Sequence, residues 1–148
     1  MRKKLLIGIL LIAISYIGYR IFFRDTVENT FPFSKADNVE LIFYKEAQEE
    51  GADLKRFSRV PIKKKVKLND AEKEELFEIL YKENSLFTDA AACYLPRHAF
   101  VFTTQKDTIG IIEVCLECSG VQVTKGIKPP QMFDNVVEKL GKFIKSKQ

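Results

Sequence analysis

The chain has 148 residues, 46% apolar and 30% charged, enough for one globular domain and an appendage. Its formal net charge of +4 is lodged at one end: residues 1–24 hold Arg2, Lys3, Lys4, Arg20 and Arg24 and no acid. That leaves the remainder at −1 (four less five), which argues against nucleic acid as a partner, because nucleic-acid binding needs a basic footprint.

The basic start, Met1 to Lys4, leads into Leu5 to Phe23, apolar apart from Ser15, Tyr16, Tyr19 and Arg20. A helix needs about 20 apolar residues to cross the hydrocarbon core. A cleaved signal peptide would use Leu5 to Ile14 as its apolar core and Ala13-x-Ser15 as its cleavage site. The run continues through Ile17, Ile21, Phe22 and Phe23, which favours an uncleaved anchor. A soluble buried helix is disfavoured, because the run has no polar face. The basic N-terminus places the tail in the cytoplasm and the domain outside. The expected organisation is a membrane anchor or signal peptide over 1–24, a linker over 25–37 containing Pro32, and an extracytoplasmic domain over 38–148. The expected partner of residues 5–23 is the cell membrane, crossed once.

Val39 to Tyr44 reads as a first strand and Lys45 to Lys55 as a loop. In the second strand, within Arg56 to Leu68, Val60, Ile62, Lys64, Val66 and Leu68 alternate with Pro61, Lys63, Lys65 and Lys67. The lysines read as a solvated outer face that discourages edge pairing. Asn69-Asp-Ala-Glu72 matches a capping box, and a helix follows with Leu76, Phe77, Ile79 and Leu80 as its apolar stripe. Leu86 and Phe87 are expected core plugs. Ala99 to Thr104 and Ile109 to Val114 are strand-like, with a polar turn between them. This predicts Thr104 opposite Ile109, Phe102 opposite Ile111 and His98 opposite Cys115. Val121 to Thr124 is a fifth strand. Pro129-Pro130 opens a last helix with Val136, Val137, Leu140, Phe143 and Ile144 on its buried side. The predicted fold class is α+β: a transmembrane helix, then a two-layer sandwich of a mostly antiparallel four- or five-stranded sheet with two helices on one face, in the order ββαβββα.

All three cysteines and the single histidine fall between Cys93 and Cys118. Cys93-Tyr-Leu-Pro-Arg-His98, a hydrophobic strand, a turn, a second strand and Cys115-Leu-Glu-Cys118 resemble the core of an uncharacterised family of small exported bacterial proteins. The resemblance spans about a third of the chain, roughly Leu86 to Ser119. It implies export, brings no catalytic residues, and marks Cys93, Pro96, Arg97, Cys115 and Cys118.

These residues admit several chemistries. The leading one is a structural disulfide, Cys93 with Cys118 or Cys93 with Cys115, in an oxidising compartment. The predicted register favours Cys93–Cys118, closing about 25 residues for roughly 3 kcal/mol. Cys115 and Cys118 have the spacing of a redox pair, without a helix N-terminus to stabilise a thiolate. Cys93, His98, Cys115 and Cys118 have the composition of a structural zinc site, but the register spreads them over two faces. Cys115 opposite His98 would be a thiol–imidazole nucleophile. Arg97 is an anion-binding candidate, or the ion-pair partner of Glu113 or Glu117. There is no Gly-rich phosphate loop, no Ser/His/Asp set and no suggestive carboxylate pair, so no cofactor is expected and a structural or binding role outweighs an enzyme.

Overall fold

The computed structural model describes residues 25–48, 52–57, 59–82 and 94–148, together with Ser15. The rest of the expected membrane segment, Leu86, Phe87 and Cys93 lie outside the described residues. Among the described residues no helix is long and apolar enough to cross a membrane.

The elements are β1 (Asn38–Tyr44), α1 (Leu54–Phe57), β2 (Ile62–Lys67), α2 (Asp70–Tyr81), β3 (His98–Thr103), β4 (Thr108–Cys115), β5 (Gly120–Val123) and α3 (Asp134–Lys145). The five strands form one antiparallel sheet in the order β2-β1-β3-β4-β5. Strand alternation gives the sheet two apolar faces. On the first, Leu41, Phe43, Phe100, Phe102, Ile112 and Val114 pack in one cluster with the apolar stripes of α2 and α3. Burying each such side chain contributes about 1.5–3 kcal/mol. This is the expected α+β sandwich, with both long helices on one side.

Local chemistry fixes the helix ends. Asn69 Oδ1 accepts from the Glu72 N–H at 2.9 Å, and Glu72 Oε2 accepts from the Asn69 N–H at 2.8 Å, which completes the predicted capping box. The last helix begins at Asp134, four residues beyond the Pro129-Pro130 pair expected to open it. A residue before proline is steered away from the α region, so the pair favours extended chain and the helix starts later. Residues 25–37 are fastened to the sheet. Phe33 is 1% exposed and meets Phe102 and Phe77 edge to face at 4.8 and 5.2 Å between ring centroids.

Two irregularities correct the predicted pairing. Phe43 pairs with Lys64 but Tyr44 pairs with Ile62, so Lys63 is an extra residue in β2. A bulge of this kind switches the facing of the chain beyond it. Val66 therefore packs with the first face while Val60 and Ile62 join the second, instead of sharing one stripe. Phe102 pairs with Gly110 but Thr103 pairs with Thr108, so Ile109 is extra in β4. The hairpin register is thus one residue off the prediction: His98 lies opposite Val114, not Cys115, and Phe102 opposite Gly110, not Ile111. Gly110 suits this position. A Cβ there would sit 2.9 Å from Ile127 Cδ1 and 3.1 Å from Pro32 Cβ.

The second face holds Ile42, Tyr44, Ala99, Val101 and Ile111, with Val60, Ala52, Phe57 and Ile62 against them. A single helical turn, α1, spans the end of the stretch read as a loop and the start of the stretch read as holding the second strand, and its Phe57 gives this face a partial apolar cover.

Candidate functional site

Of the residues singled out by sequence, Arg97, His98, Cys115 and Cys118 are described, and they gather at one end of the sheet, where β3 begins and β4 ends. Their arrangement differs from expectation. Cys115 and Cys118 form a disulfide with each other, Cα to Cα 5.6 Å, so the favoured Cys93–Cys118 pairing is replaced by a bond closing the β4–β5 turn. The physical reason is local. The turn from Leu116 to Ser119 folds back directly, with Ser119 at φ +48°, and Cys115 pairs with Gly120 across the ladder. The two sulfurs are three positions apart in a reversing chain. Both cysteines are buried, at 2% and 3% exposure.

The chain before β3 covers this turn. Tyr94 Oη donates to the Glu113 carbonyl at 3.2 Å. Its ring lies against Gly120, where a Cβ would come within 2.7 Å of Tyr94 Cδ2 and 3.3 Å of Cys118 Sγ. Glycine at 120 is what allows the aromatic ring and the disulfide to share this space.

Arg97 Nε and Glu117 Oε1 are 3.5 Å apart, with more than half of each side chain exposed. One of the two carboxylates expected for Arg97 is thus its partner. An exposed pair of this kind contributes about 0–1 kcal/mol. Glu117 belongs to the Cys115–Cys118 loop, so the pair ties that loop to the segment before β3.

His98 does not join the sulfurs. It faces the helix side of the sheet, edge to face with Phe43 at 5.3 Å. Burial holds its imidazole below the usual pKa; Glu117 opposes that shift and Arg97 adds to it. Cys115, one residue past the partner of His98, projects from the opposite face, and its sulfur is already bonded. The one-residue register difference thus separates the thiol–imidazole pair, His98 and Cys115. Among the described residues no group of three or more His, Cys, Asp or Glu side chains converges. The Cys-x-x-Cys segment leads into β5, so neither sulfur sits at the start of a helix that follows it.

One buried pair escaped the sequence reading. Glu113 is 1% exposed on the second face, and Tyr44 Oη donates to its Oε1 at 2.6 Å. The signal was an acid inside the strand-like run Ile111-Ile112-Glu113-Val114, where burial of a carboxylate demands donors.

This end stands away from Asp25. Asp25 is held to Lys128 at 2.6 Å, on the side where β4 begins. The eight residues of β4 span about 25 Å between the two ends. No protein-family model, curated protein or solved structure matches the chain.

Proposed function

We propose that this chain is a membrane-tethered extracytoplasmic domain with a structural or binding role, anchored by residues 5–23 and locked by its disulfide. The observation that carries the reading is the buried Cys115–Cys118 bond, which belongs in an oxidising compartment. The apolar Leu5 to Phe23 run supplies the tether. In this arrangement the disulfide end faces away from the anchored end. The resemblance to small exported bacterial proteins points the same way.

Two measurements on protein recovered from cells test it. Non-reducing mass spectrometry should find one disulfide and one alkylatable thiol. Protease added to the outside of intact spheroplasts should degrade the domain. Three free thiols, or a protected domain, would overturn the reading.

A second reading treats Cys115–Cys118 as a redox pair. Its support is the short loop: closing four residues contributes about 2 kcal/mol in the chain-entropy model, little for a dedicated staple. Burial of both sulfurs opposes exchange with a protein thiol. Equilibration in glutathione buffers separates the two. A redox pair reduces near −200 mV, roughly the range of disulfide oxidoreductases, and a structural bond stays oxidised below about −300 mV.

A further inference from the structure

Residues 54–68 hold seven basic side chains and no acid, in a domain that is otherwise acidic. The structure places the strand part of this stretch, β2, at an edge of the sheet: β2 pairs with β1, and among the described residues no strand pairs with its other side. The hydrogen-bond phase of that edge can be read. The Leu68 N–H donates to the Val39 carbonyl at 2.9 Å. In an antiparallel pair, hydrogen-bonded and non-hydrogen-bonded positions alternate. With Glu40 opposite Lys67, Leu41 opposite Val66 and Ile42 opposite Lys65, the inward-bonded residues are Leu68 and Val66. Lys65 and Lys67 therefore turn their own N–H and C=O groups outward.

The side chains of the same two residues are exposed on the second face of the sheet. Lys64, on the other face, is engaged elsewhere: its Nζ donates to the carbonyls of Lys147 and Gln148 at 2.6 and 2.7 Å. The edge thus presents open backbone donors and acceptors together with ammonium groups about 7 Å apart, the repeat of alternate residues in an extended chain. A second copy of β2 is a poor occupant, because lysine would meet lysine. A strand carrying carboxylates at alternate positions satisfies both the backbone and the charge.

We infer that the outer edge of β2 receives an extended acidic segment of a partner protein as a sixth strand, its alternate Glu or Asp side chains meeting Lys65 and Lys67. This inference does not depend on where the chain is anchored.

The test uses the full chain in non-ionic detergent and a labelled peptide alternating Glu with Thr and Val. Anisotropy should show saturable binding. Lys65→Glu with Lys67→Glu should weaken it about tenfold or more, since attraction becomes repulsion. The Lys65→Gln, Lys67→Gln variant gives the same dependence should charge reversal unfold the sheet. A peptide of equal charge with proline at its centre should also bind about tenfold more weakly, because proline cannot donate to a ladder. No binding, equal binding of the proline peptide, or binding indifferent to the lysines would each overturn the inference. Equal competition by inorganic polyphosphate would overturn it too, by showing a charge surface that needs no strand.

Discussion

Tyr44 and Glu113 belong to strands that are not neighbours in the sheet, yet the phenol donates to the carboxylate at 2.6 Å. β3 runs between them, and Ala99 lies opposite Glu113 on that strand. Ala99 is fully buried, and its methyl group leaves room for the Tyr44 side chain to reach across. The result is a polar tie beside the apolar cluster of the second face.

Tyr44→Phe should therefore destabilise the domain by about 1.5–3 kcal/mol, because a buried carboxylate loses a donor. Ala99→Leu should cost about 1–3 kcal/mol by crowding the same crossing. Urea denaturation measures both. A Tyr44→Phe variant within about 0.5 kcal/mol of wild type would show that the tie contributes little.

Gly120 and Tyr94 give a coupling test. Gly120→Ala places a Cβ 2.7 Å from the Tyr94 ring, so the ring must shift. Overpacking of this kind costs about 1–3 kcal/mol. In a Tyr94→Ala background only the 3.3 Å approach to Cys118 Sγ remains, and Gly120→Ala should cost less. A double-mutant cycle reads the difference. Equal costs in both backgrounds would refute the contact.

Much of the fold was legible in the residues. The capping box at Asn69 fixed the start of α2, and apolar periodicity identified both long helices. The one-residue insertions at Lys63 and Ile109 were not legible. A bulge leaves the composition of a strand unchanged, and its position is settled by packing across the sheet. The cost of missing the one at Ile109 fell on the site. It moved His98 from Cys115 to Val114, and with that the thiol–imidazole pair lost its geometry. The disulfide was expected in the right segment but in the wrong pairing, because the strand pattern says nothing of how tightly the chain turns after Cys115.

His98 makes stability depend on pH. Burial depresses its folded pKa, so the native imidazole takes its proton at a lower pH than the unfolded one, which titrates near 6.5. Above that value both states are neutral and nothing is lost. As pH falls below it the unfolded chain binds a proton that the native chain does not, and stability drops until His98 protonates in place. The urea midpoint of wild type should fall between pH 7.5 and 5.5, and that of His98→Gln should fall less. The comparison with His98→Gln isolates this group, since His98 is the sole histidine. Equal losses in the two proteins would remove His98 as the cause.

The disulfide makes the last prediction. Closing a four-residue loop removes little freedom from the unfolded chain, so reduction should cost about 2 kcal/mol, against roughly 3 for a bond from Cys93. For a chain of this size that is a drop of about 4–8 °C in Tm. Cys115→Ser with Cys118→Ser should reproduce the drop and abolish the response to reductant. Cys93→Ser should leave both the bond and the response in place. Peptide mapping under non-reducing conditions decides the pairing directly. A cross-link from Cys93 to either partner would mean that the turn after Cys115 does not hold its two sulfurs together in the native protein.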